Sequence, residues 1–156
     1  MTEKDVIEKI KQFALSYGID PKLLYAFCKI ESNLNHMAIR YEPQWQYVTS
    51  ASLYSRDSKY SYDTERIFQS CSIGIAQVMG TVARELGLNG NLLQLIDLDC
   101  GLKYGCLKIT QLKGKYKNLD DVIASYNAGS PIKTNGRYYN QDYVKKVRNV
   151  YETCQI

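Results

Sequence analysis

The strongest constraint in this sequence is a helical stripe that recurs along the chain with punctuation at both ends. Val6, Ile7, Ile10, Phe13, Ala14 and Tyr17 follow a spacing near 3.6 residues, which places apolar side chains on one face of an α-helix. Thr2 and Asp5 precede that stripe at capping-box spacing, Asp standing in for the usual Glu, and Gly18 supplies a stop. Asp20-Pro21 has the order of N-cap and first helical residue. A second helix is predicted there, with Leu23, Leu24, Phe27, Cys28 and Ile30 as its apolar positions and an end near Ser32-Asn33.

Further helices are predicted downstream. Asp63 is expected to cap a short one through Phe68. Ile75, Val78, Met79, Val82, Ala83 and Leu86 read as another, closed by Gly87. Asp97 is expected to cap a helix with Leu102, Gly105, Cys106, Ile109 and Leu112 inward, where Gly101 and Gly105 would let another helix approach. Asn118 or Asp120 opens a helix through Val122, Ile123 and Tyr126, stopped at Gly129-Ser130-Pro131, and Asn140 opens a last one with Val144, Val147, Val150 and Tyr151. Residues 34–62 lack periodicity and are expected to be loop with a short irregular hairpin. So long an irregular segment in a compact domain is usually functional. The outcome is an all-α, or α-dominated, single domain spanning 1–156.

Composition narrows the function classes. Twenty Lys and Arg against sixteen Asp and Glu leave a net charge of +4. That suits contact with an anionic polymer but supplies no concentrated basic stripe for nucleic acid. No apolar run approaches the roughly 18 residues of a membrane span, and Met1 to Ile10 lacks a signal-peptide core. A mature form, a cytosolic protein, and delivery by lysis or a virion all remain open. Five cysteines without a C-x-x-C pair, and one histidine, argue against a zinc site. The thiols are expected to be mostly buried and reduced, with one disulfide left open. No metal or cofactor and a monomeric state are expected. The oddity is fourteen Tyr against three Phe and one Trp. Tyr joins a flat apolar face to a polar tip, which suits wet clefts.

Glu31 is the first candidate for chemistry. It lies four residues after Phe27 and seven after Leu24, so it shares the apolar face of its helix. Burial and the negative helix end are expected to raise its pKa, as in a general acid. The structural alternative is a stripe-edge carboxylate that snorkels out to solvent or pairs with Lys or Arg. Cys28 with His36 invites a thiol-nucleophile reading, but Cys28 lies on the buried stripe with no orienting Asn or Asp evident, and His36 reads as a loop contact. Lys145, Lys146 and Arg148 read as a solvated helix face with some attraction for an anionic polymer.

Three segments taken in order carry a resemblance: Glu31-Ser32-Asn33 after an apolar helix, Ser72-Ile73-Gly74-Ile75-Ala76-Gln77-Val78-Met79, and Ala124-Ser125-Tyr126-Asn127-Ala128-Gly129. Together they resemble the soluble lytic transglycosylases, relatives of goose-type lysozyme, over about residues 18 to 150. Ile75 replaces the family's usual Leu, and Ser125 stands where Ala is common. Leu102-Lys103-Tyr104-Gly105 is also similar to a family helix.

The resemblance implies a lysozyme-like fold acting on peptidoglycan at the β-1,4 bond between N-acetylmuramic acid and N-acetylglucosamine. Glu31 matches the catalytic acid. Ser72, Gln77, Tyr126 and Asn127 match positions lining the cleft, with Tyr126 near the acid and Gln77 against the sugar. Tyr126 read without the motif is a core aromatic.

The 34–70 segment is longer than the family's usual one. Its Ala38-Ile39-Arg40-Tyr41-Glu42-Pro43 stretch is similar to phage-encoded wall-degrading enzymes. Tyr41, Trp45, Tyr47, Tyr54, Tyr60 and Tyr62 fall in this segment and are expected to include sugar-facing residues, Tyr41 among the substrate contacts. Glu42 and Glu65 also lie there. Either could hold a water for an inverting muramidase, which needs about 6.5–9.5 Å between carboxyl groups. Their structural alternatives are an ion pair with Arg40 or a nearby Lys for Glu42 and an ordinary first-turn helix acid for Glu65. Chitin-type substrates and a noncatalytic wall-binding role in a virion remain as rivals.

Overall fold

The stripes become helices because most of their stop and start signals work as written. The computed structural model describes residues 2–156. Its order is α1 (Glu3–Ser16), α2 (Pro21–Ser32), β1 (Ile39–Tyr41), α3 (Ala51–Ser58), α4 (Tyr62–Gln69), β2 (Cys71–Ile73), β3 (Val78–Met79), α5 (Gly80–Glu85), a 3-10 helix (Leu92–Ile96), α6 (Leu98–Lys115), α7 (Leu119–Ala128), β4 (Lys133–Thr134), β5 (Arg137–Tyr138) and α8 (Gln141–Thr153). Helix makes up 61% of it, and the strands form only small antiparallel pairings. No helix among the described residues is long and apolar enough to cross a membrane.

The chain divides into two compact units, residues 1–30 with 106–156, and residues 31–105. In the first, the Thr2 hydroxyl accepts from the Asp5 N–H and the Asp5 carboxylate accepts from the Thr2 N–H, closing the capping box. Asp20 Oδ1 accepts from the Lys22 N–H at the start of α2. Its Oδ2 accepts from the Tyr151 hydroxyl at 2.9 Å, fastening α8 to the start of α2. Val6, Ile10, Leu23, Leu24, Phe27, Ile109, Val122, Ile123, Val144 and Val147 are buried, and that apolar burial is the main driving force for the unit. Asn118 caps α7, and Gly129 ends it with a φ of 77°. A tight hairpin, β4–β5, then turns through Asn135-Gly136, both at positive φ, the backbone that two-residue hairpin loops favour. Arg148 holds Asp120 at 2.6 Å.

In the second unit a three-stranded sheet has the order β1-β2-β3. Ile39 faces Ile73 and Tyr41 faces Cys71 on one side, and Ile73 faces Val78 on the other. Four expectations are corrected here. The strand in the 34–62 segment pairs with β2 rather than forming a local hairpin. The same segment contains a helix, α3. Ser61, not Asp63, caps α4 by accepting from the Thr64 N–H. Residues 75–79 are turn and strand, and only Gly80–Glu85 is helical.

The last correction has a clear cause. Gly74 and Gln77 have φ of 80° and 44°, which no right-handed helix accommodates. Every residue from Cys71 to Val78 is buried, so apolar spacing there does not separate a helix from a strand and turn. A Cβ on Gly74 would lie 2.1 Å from the Leu95 carbonyl oxygen, and one on Gly101 would lie 2.8 Å from the same oxygen. The close approach expected of Gly101 is therefore made to the 3-10 segment. Asp97 caps α6 as expected, accepting from the Cys100 N–H.

The five cysteines form no disulfide; Cys28, Cys71 and Cys106 are buried. Burial pushes the Cys106 thiol up to about 12, which keeps it a neutral, weakly reactive hydrophobe.

Candidate active site

Glu31 is the penultimate residue of α2 and is half-buried. The helix stops one residue later because Asn33 and Leu34 take φ of 52° and 66°. Ser32 then ties this end down. Its hydroxyl donates to the Ile75 carbonyl at 2.8 Å, so the residue after Glu31 is fixed to the 74–77 turn. His36 is indeed a loop contact: its Nδ1 lies 2.7 Å from the Ile96 carbonyl. A carbonyl only accepts, so Nδ1 carries the proton.

The 74–77 turn is held by its own polar side chains. Gln77 Nε2 donates to the Gly74 carbonyl at 2.8 Å and to the Ala38 carbonyl at 3.1 Å. Gln77 Oε1 accepts from the Ser72 hydroxyl at 3.0 Å. A left-handed non-glycine residue costs about 1–2 kcal/mol, and these bonds offset that cost at Gln77. Ser72 and Gln77, expected to line the cleft, are 3% and 6% exposed, with their polar atoms engaged inside the turn.

The two extra acids are engaged as well. Arg40 Nε donates to Glu42 Oε1 at 2.5 Å, and Gln44 Nε2 donates to Oε2 at 3.0 Å. Glu65 and Arg84 are wholly buried and meet through two bonds of 2.9 Å. Gln69 and Ser58 also donate to the Glu65 carboxylate. The Tyr54 ring lies 4.4 Å from the Arg84 guanidinium carbon, and Arg84 also donates to the Leu88 carbonyl. The network joins α3, α4 and α5, and it satisfies both buried charges. Arg84 carries no distinguishing sequence signal: beside Glu85 in a short helix it reads as an ordinary surface charge.

The Tyr excess divides accordingly. Tyr54 and Tyr60 pack, the latter against Phe68 with ring centroids 5.1 Å apart. Tyr41, Tyr47 and Tyr62 are exposed. Tyr41 lines a cleft of about 420 Å³ together with Trp45.

In the first unit, Tyr126 is buried and stacked on Phe27 at 4.2 Å, with Lys108 Nζ 3.8 Å from its ring centroid. Asn127 is exposed in the last turn of α7. Asn140 Nδ2 donates to Asn127 Oδ1 and to the Ala124 carbonyl, both at 3.0 Å. Asn140, expected only to start α8, thus sets the orientation of the Asn127 amide instead of capping its own helix with its side chain.

Residues 8–149 match the family model described as Transglycosylase SLT domain. The chain belongs to that family, whose members are lytic transglycosylases acting on peptidoglycan. Its α-dominated architecture is consistent with a lysozyme-like fold. No solved structure gives a significant match.

Proposed function

We propose that this enzyme cleaves the β-1,4 bond between N-acetylmuramic acid and N-acetylglucosamine with Glu31 as the single general acid and base, releasing a 1,6-anhydromuramyl end. Glu31 protonates the leaving glycosidic oxygen. The substrate's N-acetyl group stabilises the positive sugar carbon. The ionised Glu31 then takes the proton of the C6 hydroxyl, whose oxygen closes the anhydro ring. Tyr126 and Asn127 contact the substrate, a role that the resemblance of their motif implies, and 1–156 acts as one catalytic domain. Ser72 and Gln77 act by fixing the 74–77 turn.

The observation that carries this proposal is the Ser32–Ile75 bond of 2.8 Å, which connects the acid-bearing motif to the second motif. A transglycosylase needs no second carboxylate, unlike a two-carboxylate glycosidase. The engagement of Glu42 by Arg40 and Gln44, and of Glu65 by Arg84, favours this route over an inverting muramidase.

The test is Glu31→Gln assayed for clearing of purified peptidoglycan, with circular dichroism as the check on folding. A folded variant that no longer lyses supports the role of Glu31. Full activity in it would refute the role.

A further inference from the structure

We propose that the cleft lined by residues 41–48 and one face of α4 binds the peptide stem of peptidoglycan. The identity of the polymer rests on the function proposed above; the stem is a second point of recognition on it.

Asp63, Arg66, Ile67 and Ser70 follow the i, i+3, i+4, i+7 spacing and face Tyr41, Pro43 and Trp45 across about 420 Å³. Several polar atoms are already engaged. The Trp45 indole N–H donates to the Tyr47 carbonyl at 2.7 Å and lies 3.2 Å from Thr81 Oγ1. The Ser70 hydroxyl lies 3.1 Å from the Arg66 carbonyl and 3.5 Å from that of Trp45. Trp45 is therefore held in one orientation and offers its apolar surface to a ligand. Tyr41 and Ile67, both about half exposed, extend that surface.

The charges decide the kind of ligand. Asp63 and Arg66 are 82% and 53% exposed, and their closest charged atoms are 3.9 Å apart. Arg66 also leans over the Tyr62 ring at 5.7 Å. Such an open pair binds itself weakly, so each charge is available to a partner. A neutral sugar makes little use of opposite charges one helical turn apart. A stem peptide does: its γ-linked glutamate and C-terminus carry carboxylates for the guanidinium fork, its diamino acid carries an ammonium for Asp63, and its methyl and methylene groups suit Trp45 and Ile67.

Trp45 is the chain's one tryptophan, so its fluorescence reports occupancy of this cleft. The full chain is titrated with synthetic L-Ala-γ-D-Glu-L-Lys-D-Ala, with the same peptide amidated at both carboxylates, and with chitotetraose. Calorimetry is read alongside, and circular dichroism checks each variant. The expected result is saturable binding of the free-acid peptide, weakened about tenfold or more by amidation or by Arg66→Gln, and less by Asp63→Asn. No saturable binding of the free-acid peptide, unchanged affinity in folded Arg66→Gln, or a stronger response to the sugar would overturn the proposal. Lysis of peptidoglycan without stem binding sinks this site alone. Stem binding without lysis sinks the catalytic proposal and keeps the site.

Discussion

The Ser32 hydroxyl and the Ile75 carbonyl, 2.8 Å apart, join the residue after Glu31 to the middle of a buried turn. Ile75 is fully buried, so removing the donor leaves its carbonyl without this bond. Ser32→Ala is expected to lose about 1–2 kcal/mol of stability and to clear peptidoglycan more slowly while still folded. Ser32→Thr keeps the hydroxyl and should recover part of both losses. Urea unfolding and the clearing assay measure the two effects, and unchanged values in Ser32→Ala would remove the tie from the account.

Glu65 and Arg84 form a buried pair whose members are costly to separate. Arg84→Met strands the Glu65 charge, and a loss of about 3–5 kcal/mol is expected. Chemical denaturation checks this. A variant as stable as the parent would return Glu65 to consideration as a water-positioning acid.

Ser125 Oγ is a buried polar atom with no hydrogen-bond partner. Ser125→Ala should therefore raise stability, by about 1 kcal/mol, because the hydroxyl is desolvated without compensation. A thermal shift downward would contradict that.

Capped, striped helices were the most legible part of this sequence. Thr2 with Asp5, Asp20-Pro21, Asn118 and Gly129 each do locally what their side chains or backbone favour. Helix α3 was hidden because its inward positions, Ala51, Tyr54, Ser55 and Ser58, are small or polar and leave no apolar stripe. The 74–77 turn departs from the helix expected from Ile75 because tertiary bonds to Ala38 and the close approach of Leu95, not local propensity, define it. Asn135-Gly136 did carry a hairpin signal in plain view. Helix position makes Glu31 a candidate acid, and only the three motifs taken together raise it above an ordinary stripe-edge carboxylate. The roles of Arg84 and Asn140 depend on partners nineteen and thirteen residues away, which no local pattern encodes.

Asp121 accepts from the Tyr138 hydroxyl at 2.5 Å and meets Lys133 Nζ at 3.0 Å. The Tyr138 hydrogen bond, then that of Lys133, hold its carboxyl below the usual range. A lowered folded pKa gives stability that is present above the ordinary carboxylate value of about 3.9 and is lost as pH falls through the lower folded value. Thermal unfolding of Asp121→Asn against the parent should show the largest deficit near neutral pH and a shrinking one below about pH 4. A deficit that stays constant into acid would contradict this assignment.

The most direct test of the catalytic proposal is mass spectrometry of the soluble products released from purified peptidoglycan in heavy-oxygen water. With Glu31 closing the ring through the substrate's own C6 oxygen, the products should end in 1,6-anhydromuramyl groups, one water lighter than reducing ends and free of label. Reducing ends that carry the heavy oxygen would contradict the account and identify a hydrolase.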